Sequence, residues 1–262
     1  MDLGLRDRVV LVTGANRGIG RAIARSAAAE GARVALCGRD AALGAETVAE
    51  LGSGRAAWFT CDVSDPEDVA ALPGAVVERF GALDAIVNNA GRFGGGAAID
   101  LTPDAIHEGV DTKVAGAVGL VRAALPALRR SDQARVVNIG GISAQRVTPG
   151  AAVTAIANAG MATLSGYLAQ ELWPDGVTVN CVIPGYVLSE VWQERARAVA
   201  EAEGLSPHEG PQRVLDLQGL AGRWGDPSEI ADVVVFLLSA QARFVSGAAF
   251  RVDGAQFEGL QR

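Results

Sequence analysis

Val9-Val10-Leu11-Val12-Thr13-Gly14-Ala15-Asn16-Arg17-Gly18-Ile19-Gly20 is the stretch that decides the fold of this chain. Four aliphatic residues have the pattern of a buried strand, and three glycines follow before a helical pattern begins. A glycine turn between a strand and a helix lets backbone N–H groups approach a pyrophosphate at the helix N-terminus. The stretch therefore predicts a βα unit that binds the phosphates of a nucleotide.

Outward from this unit, short aliphatic runs alternate with longer helical patterns. The predicted strands are Arg8–Val12, Arg33–Cys37, Arg55–Thr60, Ala85–Val87, Arg135–Ile139, Val177–Val182 and Ala248–Val252. The predicted helices cover residues 18–30, 41–51, 66–80, 103–130, 152–173 and 227–239. Because strand–helix–strand crossovers are right-handed, this order predicts an α/β fold with a doubly wound parallel sheet of about seven strands and helices on both faces. We expect a single domain over residues 1–262.

The composition excludes several classes of protein. The 262 residues carry a formal net charge of −7 without a cluster of basic side chains, which argues against nucleic-acid or anionic-membrane partners. No apolar run approaches the ~18 residues that span a bilayer, and residues 1–8 lack an apolar signal region. Cys37, Cys61 and Cys181 show no metal-ligand spacing, so we expect core thiols and no metal site. We expect a cytoplasmic protein with a small-molecule substrate.

One long polar segment, Ser189–Arg223, interrupts the alternation of strands and helices. It contains Pro207 and Pro211 and follows the carboxyl end of a predicted strand, which is the edge where open α/β sheets bind ligands. We predict that residues 189–223 form a substrate lid. The alternative is a surface insertion without a function.

Further motifs follow the other predicted strands. They are Cys61-Asp62-Val63, Asn88-Asn89-Ala90-Gly91, the Pro184-Gly185 segment, Arg223-Trp224-Gly225-Asp226-Pro227 and Val252-Asp253-Gly254. Together with the spacing Gly14-x-x-x-Gly18-x-Gly20, they resemble the short-chain dehydrogenase/reductase family over nearly the whole chain. The resemblance implies a Rossmann-like domain that binds a nicotinamide dinucleotide. It assigns cofactor contacts to Gly14, Asn16, Arg17, Gly18, Ile19, Gly20, Arg39, Asp62, Val63, Asn89, Ala90, Gly91, Pro184, Gly185, Val187 and Ser189.

The end of the second predicted strand bears on the choice of dinucleotide. NAD binding commonly uses an acid at this place to bond the ribose 2′-hydroxyl, but Gly38 occupies it and Arg39 follows. Arg17 in the glycine loop is a second guanidinium that could bind a 2′-phosphate through charge-assisted hydrogen bonds. NADP(H) is therefore favoured over NAD(H). The alternative is that both arginines are solvated surface residues, and the adjacent Asp40 weakens the argument for NADP(H).

The resemblance also implies a proton-transfer set of asparagine, serine, tyrosine and lysine, and this chain departs from all four. The corresponding residues are Lys113, Gly141, Thr154 and Asn158. No Tyr-x-x-x-Lys exists, because Lys113 is the only lysine and precedes both tyrosines. A general acid of lowered pKa is therefore missing from its usual place.

The asparagine and the lysine of the family pattern have exchanged places in Lys113 and Asn158. We hypothesise that Lys113 supplies the missing positive charge, while Asn158 bonds the ribose or a water. The alternative is drift after loss of function, with Lys113 extended into solvent.

Three other residues are candidates for a role in the reaction. Thr154 could orient a substrate oxygen, although its hydroxyl is too weak an acid to replace a tyrosine. Ser143 is a displaced hydrogen-bond donor if the segment after Gly141 is extended, and otherwise a serine that bonds local backbone. Tyr186 should edge the substrate pocket, where packing in the wall is favoured over chemistry.

Three functions remain open at this point. The first is an NADP(H)-binding protein that catalyses a non-redox step, such as cyclisation, isomerisation, dehydration or addition, with the cofactor as a scaffold. The second is an NADPH-dependent oxidoreductase with replaced acid–base groups, and the third is a non-catalytic cofactor-binding protein. The resemblance also implies a homo-oligomer, a tetramer or dimer, through the helices at 103–130 and 152–173, with Tyr167 and Trp173 as contact residues.

Overall fold

The computed structural model describes residues 2–91, 96–220 and 222–257. Seven strands form one parallel sheet in the order β3-β2-β1-β4-β5-β6-β7. The strands are β1 Val9–Thr13, β2 Arg33–Gly38, β3 Ala56–Thr60, β4 Ala85–Asn88, β5 Arg135–Ile139, β6 Thr178–Pro184 and β7 Ala249–Val252. The predicted fold class is confirmed, with each strand end within two residues of its predicted place. Because the strand order reverses between β1 and β4, a crevice opens there at the carboxyl ends of the strands.

Helices connect the strands in the described part of the chain. They are α1 Gly18–Ala29, α2 Ala41–Leu51, α3 Pro66–Phe80, α4 Pro103–Val110, α5 Gly116–Leu128, α6 Ala152–Leu172, α7 Glu190–Glu203, α8 Gly210–Leu217 and α9 Pro227–Leu238. None of the helices within the described residues is long and apolar enough to cross a membrane. Tyr167 and Trp173, the predicted oligomer contacts, are 66% and 44% exposed, and the oligomer stays a prediction.

The predicted helix over residues 103–130 was wrong as a continuous α-helix. The chain forms a π-helical turn over Asp111–Ala115 between α4 and α5. The Thr112 hydroxyl donates to the carbonyl of Glu108 at 2.8 Å, a back-bond that often accompanies helix bending. Gly116 then passes so close to the loop after β3 that a Cβ at this position would lie 2.3 Å from the Val63 carbonyl oxygen. Single π-turns of this kind are frequent at functional sites, and this one carries Lys113.

The sheet is covered on both faces, as its continuous aliphatic strands predict. Alternate residues of β1 enter opposite cores. Val10 and Val12 pack beneath α1 and α9, while Val9 and Leu11 pack beneath α3 and α5. The three cysteines are buried, which confirms them as core thiols. This rigid sheet fixes the loops at its carboxyl edge, where the candidate site lies.

The predicted lid contains α7 and α8, which pack against each other; residue 221, within the lid, lies outside the described residues. An aromatic cluster anchors the lid to the segment after β6. Its members are Tyr186, Trp192 and Trp224, whose ring centroids are 5.1 to 5.8 Å apart. Both tryptophans make apolar contacts in a small core beneath α7 and α8, and the predicted lid is therefore a packed helical element.

Candidate functional site

A cleft of about 580 Å³ opens at the carboxyl ends of the central strands. The start of the predicted lid lines one side of it, and the segments that follow β1, β2, β3, β4, β5 and β6 form the others. Fifteen of the sixteen residues assigned to the cofactor line this cleft, and Gly20 is buried behind the glycine loop. The structure thus gathers, at one edge of the sheet, residues that are dispersed from Gly14 to Ser189 in the sequence.

The glycine loop has the close backbone packing that a phosphate cradle requires. Gly14 and Gly18 have φ values of +62° and +56°, a region that favours glycine. A Cβ at Gly20 would lie 2.3 Å from the carbonyl oxygen of Gly14. The loop can therefore keep this path only with glycine at these positions, and α1 begins at its end, so that its N-terminal N–H groups face the place where a phosphate would bind.

Thr13 and Asn89 fasten this loop to the end of β4. The Thr13 hydroxyl oxygen accepts the N–H groups of Asn89 and Ala90 at 3.0 and 2.9 Å. The Asn89 side chain donates to the carbonyls of Thr13 and Gly14 at 2.9 and 3.1 Å. Asn89 therefore holds the cradle in shape through its side chain. Thr13 also stabilises the cradle, through its hydroxyl, but it is not among the predicted site residues.

A buried polar chain connects the sheet to α6 beneath the cleft. Asn88 donates to the Asn138 side-chain oxygen at 2.8 Å, and Asn138 donates to the Ser165 hydroxyl at 2.9 Å. Ser165 in turn donates to the carbonyl of Met161 at 2.8 Å. Buried polar groups with satisfied partners fix one arrangement of the elements that carry them. The sequence signal for Asn138 and Ser165 is their polarity within an apolar strand and an apolar helix face.

The edge of the cleft near β2 fits a dinucleotide with a 2′-phosphate better than one without. A Cβ at Gly38 would lie 2.9 Å from the Trp58 ring, so an acidic side chain does not fit there unless the ring moves. The Asp40 carboxylate accepts from two N–H groups at the start of α2 and thus serves as a helix cap. Arg39 is two-thirds exposed and lies 3.7 Å from Asp62, a distance that holds it only loosely.

Lys113 directs its amine into the cleft. The amine donates to the carbonyl of Gly140 at 3.3 Å, and Nζ lies 3.6 Å from a Cβ position built at Gly91. Lys113 as a whole keeps partial exposure, but its amine is enclosed, and burial lowers its pKa to about 8 against a weaker opposing effect of Cys181. The alternative of a lysine extended into solvent is wrong. A positive charge is present in the cleft at neutral pH, and its proton is easier to release than that of an ordinary lysine.

Asn158 and Gly141 depend on each other. The Asn158 side chain donates to the Ser143 hydroxyl at 2.9 Å, while its oxygen is buried and has no partner within the described part of the chain. A Cβ at Gly141 would lie 2.4 Å from the Asn158 side-chain nitrogen. A serine at 141 therefore requires the Asn158 side chain to move, which links these two departures from the family pattern sterically.

Ser143 lines the cleft, but the expectation of an extended segment was wrong. Ile142–Ala144 forms a 3-10 turn, because the N–H of Gln145 bonds the carbonyl of Ile142. The Ser143 hydroxyl oxygen accepts the amide of Asn158, which gives Ser143 a role in holding that amide.

Tyr186 and Thr154 both line the cleft. The Tyr186 hydroxyl donates to the Gln218 side chain at 3.0 Å, and its ring packs against Trp192 and Trp224. Tyr186 therefore packs in the wall of the cleft, as predicted. Thr154 lines the cleft from the first turns of α6, one turn before Asn158.

Known proteins resemble this chain over almost its whole length. A family model described as enoyl-(acyl carrier protein) reductase matches residues 14–255. The chain is 37% identical to L-rhamnose 1-dehydrogenase (NAD(P)(+)) of Azotobacter vinelandii, over 98% of this chain and 99% of that protein. The chain belongs to the short-chain dehydrogenase/reductase family. It is also 31% identical to the 3-oxoacyl-acyl-carrier-protein reductase of Vibrio cholerae, over 97% of this chain and 99% of that protein.

Solved structures of the short-chain dehydrogenase/reductase family superpose on this member. L-sorbose reductase from Gluconobacter frateurii, complexed with NADPH and L-sorbose, gives a TM-score of 0.94 at 30% identity and covers 99% of this chain and all of that one. An actinorhodin polyketide ketoreductase with NADPH gives a TM-score of 0.88 at 34% identity, and the match covers 97% of this chain and 98% of that one. The relatives named here are oxidoreductases, which favours an enzyme for this member of the family too.

Proposed function

We propose that this member of the family binds NADP(H) in the cleft and does not perform ordinary carbonyl reduction. The observation that carries the proposal is the hydrogen bond from Asn158 to Ser143 across Gly141. The Asn158 amide occupies the space that a carbonyl-binding serine side chain at 141 would need. The same amide stands where the family pattern has a lysine. The one tyrosine in the cleft wall commits its hydroxyl to Gln218.

Cofactor binding is supported by the glycine cradle and by the arginines. The backbone of Gly14, Gly18 and Ile19 would hold the phosphates, and Arg17 and Arg39 would hold a 2′-phosphate. The complexes of L-sorbose reductase and the actinorhodin ketoreductase with NADPH favour the same dinucleotide. A bound nicotinamide supplies or accepts a hydride in redox chemistry. Because the tyrosine and lysine of the family's proton-transfer set are replaced by Thr154 and Asn158, the cofactor serves in this proposal as one wall of the pocket.

The reaction proposed is a non-redox step on a small organic molecule, such as cyclisation, isomerisation, dehydration or addition. Lys113 supplies a cation that stabilises a developing negative charge on a substrate oxygen. Thr154 lines the cleft, where its hydroxyl orients the substrate. These groups can polarise and position a substrate without transferring a hydride.

A second candidate is an NADPH-dependent oxidoreductase in which Lys113 donates the proton. A lysine pKa of about 8 is close to the working pH of an enzyme, which is the condition for an effective general acid. The activities of the relatives support this candidate.

The two candidates separate when purified protein is mixed with NADPH and a panel of carbonyl compounds. We expect NADPH binding without oxidation of NADPH at the reduced-nicotinamide absorbance band. Steady turnover would favour the second candidate, and its rate should then fall as the pH rises through about 8, because the acid form of Lys113 is lost. Lys113→Met should abolish that turnover, while Lys113→Arg should keep the charge but remove the pH dependence. Failure to bind NADPH would contradict both candidates.

The preference for NADP(H) depends on Arg17 and Arg39. We expect Arg39→Ala alone to weaken NADPH binding by roughly 10- to 100-fold, and the double variant with Arg17→Ala by at least about 100-fold, because charge-assisted hydrogen bonds contribute about 1.5–3 kcal/mol each. NADH binding should stay almost unchanged. Titration of each variant with NADPH and with NADH measures the ratio of the two dissociation constants. Arg25→Ala is the control, since Arg25 pairs with Glu50 outside the cleft. Equal losses for NADH and NADPH would show that the arginines do not read the 2′-phosphate.

A further inference from the structure

The lid contacts the phosphate cradle through a carboxylate. Glu190 is the first residue of α7, and its side-chain oxygen Oε2 accepts the N–H of Gly18 at 2.8 Å, across 172 positions of sequence. Gly18 is the first residue of α1, and a Cβ at this glycine would lie 3.2 Å from the side chain of Ser189. The start of the lid therefore rests directly on the glycine loop.

The contact is electrostatically favourable in the absence of a nucleotide. The N-terminus of α1 carries unsatisfied N–H groups and a partial positive charge, so it attracts an anion. Glu190 also lies in the first turn of α7, where the dipole of its own helix favours a negative charge. Two helix N-termini thus stabilise one carboxylate, and the protein supplies its own anion to the cradle.

A dinucleotide bound as the glycine loop predicts would compete for the same N–H group. Gly18, Ser189 and Glu190 all line the cleft. A pyrophosphate and a carboxylate cannot both accept that N–H at full strength, and they repel each other as like charges. We propose that Glu190 is an internal competitor of the cofactor, which the pyrophosphate displaces when it binds. This inference rests on the cofactor binding of the proposed function.

Displacement of Glu190 would be transmitted to the lid. Trp192 lies two residues further along α7, lines the cleft and packs against Tyr186 and Trp224. When Glu190 leaves Gly18, the first turn of α7 loses its attachment to α1, and Trp192 moves with that turn. Cofactor binding thereby changes the substrate side of the cleft.

The test compares Glu190→Ala and Glu190→Gln with Glu201→Gln. Glu201 is exposed in the last turn of α7, so its substitution alters the net charge equally without touching the cradle. Association of NADPH is followed by stopped-flow tryptophan fluorescence. We expect Glu190→Ala to bind NADPH about tenfold more tightly, chiefly through faster association, since a charge-assisted contact no longer has to break. The NADPH affinity of Glu190→Gln should lie between those of the unmodified protein and Glu190→Ala. Glu201→Gln should bind NADPH as the unmodified protein does.

Inorganic pyrophosphate provides a second probe that does not require the nicotinamide. It should bind more tightly to Glu190→Ala than to the unmodified protein and should perturb tryptophan emission only where Glu190 is present. NADPH affinities that are equal in all proteins, or weaker in Glu190→Ala, would overturn the inference and leave the proposed function intact. If no variant binds NADPH, the proposed function fails, and pyrophosphate affinity alone then decides whether Glu190 competes with phosphates.

Discussion

Substitution of Lys113→Asn, Gly141→Ser, Thr154→Tyr and Asn158→Lys together is expected to produce NADPH-dependent carbonyl reduction in this protein. Thr154 and Asn158 lie one turn apart on α6 and both line the cleft, so a tyrosine and a lysine there would reach the same space. A positioned general acid contributes ~10²–10⁴-fold in rate, and a carbonyl-binding donor ~10²–10³-fold. We expect turnover to rise by at least about 10²-fold over the unmodified protein.

The structure shows why the four changes belong together. A serine at 141 clashes with Asn158, whose nitrogen would lie 2.4 Å from the new Cβ, so Gly141→Ser alone should impair folding or displace Ser143. Asn158→Lys alone would place a second ammonium in a cleft that already holds Lys113, and the two charges would repel. The pair Thr154→Tyr with Asn158→Lys, with Lys113 retained, is the matched control and should gain less.

Initial rates on a panel of small ketones, with NADPH binding measured in parallel, check this expectation. A quadruple variant that folds and binds NADPH but shows no turnover would mean that the proton-transfer set is not the only part of the reductase that has been lost. The lid or the substrate wall would then be the next region to alter.

Gly20→Ala should abolish cofactor binding and destabilise the protein. A Cβ at this position would lie 2.3 Å from the Gly14 carbonyl and 2.5 Å from the Asn89 side-chain nitrogen. The loop must shift to relieve these contacts, which breaks the hydrogen bonds of Asn89 to Thr13 and Gly14. We expect a loss of about 1–3 kcal/mol in the free energy of unfolding, as for other overpacked sites.

Chemical denaturation and NADPH titration measure the two effects of Gly20→Ala. Gly74→Ala is the control, since Gly74 lies on the exposed side of α3 and a Cβ there meets no atom within 4 Å. That substitution should stabilise the protein by about 0.5–1 kcal/mol, because alanine favours a helix interior over glycine. Unchanged NADPH affinity in Gly20→Ala would contradict the assignment of the loop as the phosphate cradle.

The sheet could be predicted from the sequence because its pattern is local. Each aliphatic run is bounded by turn residues, and the alternation with helices leaves few topologies. The π-turn at Asp111–Ala115 could not be found in this way, since it depends on the approach of Gly116 to Val63 across the fold. Periodicity read along one segment contains no information about that contact.

In the candidate site too, features carried by local sequence motifs could be predicted, and contacts made by tertiary packing could not. Glycine spacing and the Asn89-Ala90-Gly91 motif located the cradle, and the departures at 113, 141, 154 and 158 followed from the register of the family resemblance. The hydrogen bonds from Gly18 to Glu190 and from Asn158 to Ser143 were not foreseen. Both join residues that only tertiary packing brings within reach, and side-chain direction in such contacts is set by neighbours from several elements.

The placement of Lys113 also has a practical consequence. It is the sole lysine of the sequence, and its enclosed amine lies at the wall of the cleft with a pKa of about 8. Amine-directed reagents at mildly alkaline pH would therefore label this polypeptide at one interior side chain, apart from a terminal amine, because the outer surface offers them no lysine. An environment-sensitive fluorophore or an isotopic methyl group attached there would report occupancy of the cleft directly.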